Sequence, residues 1–329
     1  CMLLRRWLLR GYYTCTATLS GVLLVGFLGA LMAGRHAAGP VELPGTRPQT
    51  VLEAARFAEA VLVGYVWPCL VRSGPAVAGT IVLLRESPAG PEMFMVVRHH
   101  QIDFASGALV FPGGKVDAQD DDPELAALCD GASEDPVLRA IEIGSIREAF
   151  EEAGVLLARA EGERELLDGA RVAALDPLRD ALHKGDLPLK DFLRQHKLRL
   201  ACDALTRFAH WVTPTMMPKR FDTHFFLAVA PGDQILAHDG HESVDSVWLT
   251  PAQALADAEA GSRTVIFPTL RNIEILEGFA DCQGLIDAFA SKPIVTVIPW
   301  TEKRDDGTWL CIPPEAGYKL SEEKMTSMP

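Results

Sequence analysis

The 329-residue chain has no internal repeat and no low-complexity run, so neither a solenoid nor a long disordered tail accounts for it. Its seven cysteines stand at positions 1, 15, 69, 129, 202, 282 and 311, odd in number and never at zinc-ligand spacing. They read as reduced thiols that behave as small hydrophobes, and none is assigned to a site. Basic residues are outnumbered, 31 Lys and Arg against 44 Asp and Glu, for a net charge of −13. The first fifty residues hold five Arg and a single acid, so the remainder is more acidic still. A body of that charge argues against a nucleic-acid backbone as main partner. It leaves anionic nucleotides open, because a bound metal reverses the local sign.

Long apolar runs are equally few. Residues 17–34 form one uncharged run behind Arg5, Arg6 and Arg10, and eighteen residues at helical rise just suffice to cross a bilayer. As a signal anchor it would keep the amino end in the cytoplasm; the small residues around Ala30 and Gly34 also fit a cleaved signal. A buried helix, or sequence ahead of a start at Met2 or Met32, accounts for it as well. The run at 60–71 is shorter and contains Pro68, which favours a helix or interfacial segment over a span.

With 48% hydrophobic and 23% charged residues, the rest is ample for a globular domain. Its most informative stretch is Arg147-Glu148-Ala149-Phe150-Glu151-Glu152-Ala153-Gly154-Val155. A helix places residues three and four apart on one face, so Glu148, Glu151 and Glu152 project together. Arg147 offsets only part of that charge, and a divalent cation with oxygen ligands is the simplest remaining partner. Gly154 suits the left-handed position that ends a helix. Upstream, Phe111-Pro112-Gly113-Gly114-Lys115 supplies glycines that let backbone approach a ligand.

These residues resemble the signature of the Nudix hydrolases: Gly, five residues, Glu, seven residues, then Arg-Glu-x-x-Glu-Glu-x-Gly and an aliphatic. The second half is matched in full, with Val155 as the aliphatic. In the first half, five residues beyond Gly114 stands Asp120 in place of Glu, and twenty-six residues rather than seven separate it from Arg147. The extra nineteen hold polar turns around a short apolar segment, 125–129, and read as a surface excursion. A stretched box resembles the branch that includes peroxisomal coenzyme A diphosphatases. So do Gly107-Ala108-Leu109-Val110-Phe111-Pro112, Trp211-Val212-Thr213-Pro214 and Lys219-Arg220-Phe221-Asp222-Thr223-His224-Phe225-Phe226.

The resemblance implies an α+β fold, the Nudix-type α/β/α sandwich with a mixed β-sheet and helical insertions, behind an N-terminal hydrophobic extension. Apolar, β-branched runs predict strands at 79–84, 93–97, 205–212, 221–229 and 244–249, and helices fit 163–183, 187–196 and 251–259. Domain limits follow: an extension over 1–75, the Nudix domain over 76–300 with insertions at 121–139 and 156–204, and a tail over 301–329.

The implied activity is hydrolysis of a pyrophosphate bond in a nucleoside diphosphate derivative, with Mg2+ or Mn2+ held by Glu148, Glu151 and Glu152 and with Arg147 in the catalytic group. Gly113, Gly114, Arg98 and Asp222 are candidates for substrate contact. Asp120 and Glu242 are candidate further acids, with Asp239 and Asp245 beside the latter. Asp103 stands where the coenzyme A diphosphatases carry a basic residue, so the expected substrate class is broad. The alternative is a nucleotide-binding or regulatory module without turnover. A cytoplasmic active domain is expected from where such substrates are found, with membrane contact confined to the N-terminal segment.

Overall fold

The computed structural model describes residues 74–98, 107–234 and 243–325. The expectations for residues 17–34 and 60–71, and for Asp103, Asp239 and Glu242, lie outside the described residues. Among those described, no helix is long and apolar enough to cross a membrane.

Strand β1 (Ala76–Arg85) is the axis of the main sheet. It is followed by β2 (Glu92–Arg98), then by two short strands, β3 (Leu109–Val110) and β4 (Gly113–Lys115). After β5 (Cys129–Asp130) the chain enters the long helix α1 (Pro136–Ala153). A helical insertion follows: β6 (Ala158–Ala160), α2 (Gly169–Leu175), α3 (Arg179–His183), α4 (Leu189–His196) and β7 (Leu198–Ala201). Then come β8 (Thr206–Val212), β9 (Phe221–Val229) and β10 (Ser243–Leu249). Three helices, α5 (Pro251–Glu259), α6 (Phe267–Ile275) and α7 (Cys282–Ala290), precede β11 (Thr296–Val297). The last described residues form an antiparallel sheet of β12 (Trp300–Arg304), β13 (Gly307–Cys311) and β14 (Glu322–Lys324).

The main sheet runs β10-β2-β1-β9-β8-β11, with β3 against β2 and β4 against β1. One edge of β1 pairs with β9 in parallel along nearly its whole length. Its other edge is shared: β2 takes the end at Leu84 and Arg85, while β4 takes Ala78, Gly79 and Thr80. The strands β1 and β2 therefore part, and β4 fills the opening. That opening is what brings Gly113 and Gly114 under α1.

Both faces of the sheet are buried, which explains the near-continuous apolar runs in β1 and β9. Ile81, Leu83, Phe94 and Phe226 pack with Ile143, Ile146 and Phe150 of α1 and with Leu182 and Phe192 of the insertion. Alternate residues Val82, Leu84, Met95, Phe225 and Leu227 pack on the opposite face with Ala254, Ile273, Leu285 and Phe289 of α5, α6 and α7. Helices on each face of a mixed sheet make the α/β/α sandwich expected from the sequence. Asp135 starts α1 by accepting from the Val137 and Leu138 amides, with Pro136 in the first turn. Gly154, at φ 72°, ends it in the left-handed conformation.

Some expected elements differ. The helix read over 163–183 is two helices, because Asp168 caps a start at Gly169 and the Asp176-Pro177-Leu178 turn separates α2 from α3. The nineteen extra residues are not a mere surface excursion. Leu125 is buried in the core beside α1, Cys129 joins it, and β5 pairs with β7 of the other insertion. The C-terminal residues also reach the core, since Tyr318 Oη donates to Asn272 Oδ1 at 2.8 Å and accepts from Trp211 Nε1 at 2.8 Å. Tyr318→Phe should cost about 1–2 kcal/mol of unfolding free energy by removing that hydroxyl, as denaturant titration would measure.

Candidate functional site

Arg147 organises the site. It is only 5% exposed, in the interior of α1 where a lone guanidinium would be costly. It is far from alone: Nε and Nη2 donate to the two oxygens of Asp120 at 2.9 and 3.0 Å, and Nη2 also donates to the Lys115 carbonyl at 3.1 Å. Nη1 donates to Glu151 Oε2 at 3.1 Å and lies 3.0 Å from Glu148 Oε1. Burial opposes its charge, but the Asp120 hydrogen bonds and the charges of Glu148, Asp120 and Glu151 outweigh that and raise its pKa.

Asp120 is the acid in the first half of the stretched box. It closes the short turn Ala118–Asp121 by accepting from the Asp117 amide at 2.8 Å and is 1% exposed. Burial pushes its carboxyl above the usual aspartate value, against the pull of Arg147. Its contacts make it the clamp on Arg147 rather than a further acid at the metal position.

Two of the glutamates lie over β4. Glu152 Oε2 accepts from the Gly113 amide at 2.8 Å. Glu148 occupies the space beside Gly114, where a Cβ would overlap its carboxylate. The glycine therefore makes room for a carboxylate of α1. Glu151 meets Arg147 through Oε2, while Oε1 is buried with no hydrogen-bond partner. Burial pushes the Glu151 carboxyl above its ordinary value, with Arg147 and His183 acting against it.

Two residues of the long insertion also reach this site, and sequence reasoning did not single them out. His183 Nδ1, at the end of α3, is 3.4 Å from Glu151 Oε2, and Arg179 donates to the Glu151 carbonyl at 2.9 Å. Only the helical pattern ending at His183 hinted at them, and its placement needs tertiary contact. Three carboxylates, those of Asp120, Glu148 and Glu151, thus contact one buried arginine, and Glu152 of α1 adds a fourth, leaving an acidic excess. An all-oxygen set with one buried, unpartnered carboxylate oxygen fits a hard divalent cation, and Glu148, Glu151 and Glu152 are the residues that would hold it.

Other candidates lie elsewhere. Asp222 on β9 has His210 and His224 as its partners, through Oδ1 at 2.5 and 3.6 Å. Burial first, with the charges of His210 and Arg207, pushes His224 down to about 4. Arg98 ends β2, and its side chain is outside the described residues. Asp245 is exposed on β10 and accepts from the Ser246 amide. Trp248 packs edge-on to Phe94 under the Arg85 guanidinium, and Trp211 is buried, so both are packing residues.

Two outcomes follow from these contacts. Asp120→Ala should destabilise the fold by about 3 kcal/mol, the low end for breaking a buried pair because Glu148 and Glu151 still accompany Arg147; chemical denaturation measures it. Glu151→Gln should act in the opposite direction on the metal-free protein. A carboxyl with a raised native pKa binds its proton more tightly folded than unfolded, so stability falls as pH rises through that pKa and stays lower above it. The variant should therefore be more stable than wild type at about pH 7, the gap closing below the ordinary glutamate value of 4.5. Paired denaturation curves across that range check the sign.

A family model described as the NUDT19 Nudix domain matches residues 132–273. The human acyl-coenzyme A diphosphatase NUDT19 is 28% identical, the match covering 65% of this chain and 64% of that protein. Its Xenopus laevis counterpart is 24% identical over 59% of this chain and 62% of its own length. The chain thus spans less than two thirds of these curated relatives. The crystal structure of a NUDIX hydrolase from Alicyclobacillus acidocaldarius superposes with a TM-score of 0.56 at 26% identity, covering 67% of this chain and 98% of that one. The acidic helix clamped over its glycine strand and the sandwich around it agree with these likenesses: over residues 132–273 the chain is similar to a Nudix domain of the NUDT19 type.

Proposed function

We propose that this chain is a metal-dependent pyrophosphohydrolase acting on a nucleoside diphosphate-linked compound of the coenzyme A or acyl-coenzyme A type. The observation that carries this reading is Glu152 and Glu148 set against Gly113 and Gly114, with Glu151 held on Arg147 and one of its oxygens buried and unpartnered. The likeness to the human and Xenopus acyl-coenzyme A diphosphatases supports the substrate class. Supply of such substrates favours a cytoplasmic active domain.

Magnesium, or manganese in its place, would neutralise charge on the diphosphate oxygens and lower the pKa of a bound water. The protein's own part is positional. Gly113 holds Glu152, Arg147 holds Glu148 and Glu151, and Asp120 holds Arg147, so the carboxylates are fixed before substrate arrives. Water forms the new P–O bond as the bridging P–O bond breaks, its proton passing to a carboxylate of the site, and two phosphomonoesters leave.

Purified protein should release both products from coenzyme A or acyl-coenzyme A in the presence of Mg2+ or Mn2+. NADH, ADP-ribose and dinucleoside polyphosphates belong in the same panel. Glu151→Gln and Glu152→Gln should each lower kcat/KM by about a hundredfold or more, since even outer partners of metal ligands are worth 10–100-fold. A wild-type protein that binds these compounds without turning any over would instead be a binding module, and fully active variants would refute the site.

A further inference from the structure

A second group of side chains has ligand chemistry of a different kind. His210 on β8 and His224 on β9 are directly opposed cross-strand neighbours, with ring centroids 4.1 Å apart. Asp222 presents Oδ1 to both rings, 2.5 Å from His210 Nε2 and 3.6 Å from His224 Nε2. One ligand atom from each of the three lies within 4.8 Å of the others. The opposite side of His210 is fixed, because Nδ1 meets Thr296 Oγ1 of β11 at 2.8 Å. His224 has its Nδ1 buried with no hydrogen-bond partner.

As a simple polar strap this arrangement is incomplete. One carboxylate oxygen serves two imidazoles, and a buried ring nitrogen has nothing opposite it. We propose that His210, Asp222 and His224 form a second cation site, taking a zinc-class divalent ion through two ring nitrogens and one carboxylate oxygen. Nitrogen donors select such ions over magnesium, whose preference is for oxygen alone. A hydroxyl on the far nitrogen of His210 is the outer partner that a ligating histidine needs to fix its orientation. The ion would join β8 to β9 and, through Thr296, bear on the edge strand β11.

The site is separate from the acidic one. Beyond the trio, Arg207 and Asp135 are the charges felt by His224, and Gly79 of β1 pairs with His224 on one edge and with Gly114, beside Glu148, on the other, so one strand lies between the two groups. Arg207 is itself faced by Asp222, Glu142 and Asp135, so the surroundings are not cationic on balance.

Co2+ is a suitable probe because nitrogen-containing, low-coordinate sites give it visible absorption that an all-oxygen octahedral site does not. The full chain, stripped with chelator and titrated with Co2+, should develop a visible band that Zn2+ abolishes by displacement. The band should persist in Glu151→Gln/Glu152→Gln, and binding should weaken by about a hundredfold or more in His210→Ala and in His224→Ala. The near-isosteric His210→Gln and Asp222→Asn should lose it as well while keeping the wild-type circular dichroism, which covers the case in which an alanine variant does not fold. No visible band in the wild type, or one of equal affinity in His210→Gln and Asp222→Asn, would overturn the proposal and leave the trio a hydrogen-bonded strap.

Discussion

The buried pair of Arg147 and Asp120 is the constraint on which the site depends. Withdrawing two charges from water costs several kcal/mol per ion, and only good geometry with further hydrogen bonds repays it. Both conditions hold. The guanidinium grips both Asp120 oxygens and the Lys115 carbonyl, and Asp120 takes the Asp117 amide in addition. One arginine thereby joins the end of β4, the turn after it and the acidic face of α1. The helix is pressed close at the same level, for a Cβ on Gly144 would crowd the Asp120 carboxylate and one on Gly79 would overlap the Ser145 hydroxyl. Those glycines let α1 lie against the sheet closely enough for the clamp to close.

Closing the clamp creates an electrostatic debt that the apo fold carries. Glu148 and Glu151 share one guanidinium nitrogen, and Glu151 has an oxygen with nothing to bond. Such a group destabilises the native state unless a ligand answers it. The apolar layers beneath offset the strain, since α1 seals Ile143, Ile146 and Phe150 against the sheet. Apolar packing lies on one side of the helix and the carboxylates on the other. The same helix serves both because its carboxylates recur three and four residues apart while its apolar residues fill the remaining positions.

Features set by local rules could be read from the chain. The strand at 221–229 and the helix at 251–259 match the structure at both ends; Pro251 and the Thr250 and Gln253 capping box define where that helix begins. The acidic face and the Gly154 stop depend only on helical spacing and a left-handed cap. What stayed hidden depends on distant contact. Asp120 is twenty-seven residues from Arg147 and has the shorter side chain, so nothing local marks it as the clamp. His183 and Arg179 arrive from another insertion. The strand Trp300–Arg304 is largely exposed and charged, without the alternation that would announce it. The segment 125–129 is too short to distinguish a loop from a plug in the core.

That plug explains why the box tolerates its stretch. The inserted residues leave from Asp120 and return to Arg147, the two ends that the ion pair holds together, and closing a longer loop costs free energy only logarithmically in its length. The insertion also has its own anchors. Leu125 is buried beside α1, and Arg199 donates to Asp130 Oδ1 and to the carbonyls of Ala127 and Cys129. Lys190 of α4 pairs with Asp122 and Glu124, and the Leu189 amide donates to Gln119 Oε1. Arg199, Lys190 and Leu189 all come from the second insertion, which also supplies β6 and β7 to the three-stranded sheet with β5. The two insertions therefore fold against each other as one body. Since the second carries His183 and Arg179 to Glu151, the stretch within the box and the insertion after it are a single structural feature, tied to the acidic face of α1 through Asp120 on one side and through His183 and Arg179 on the other.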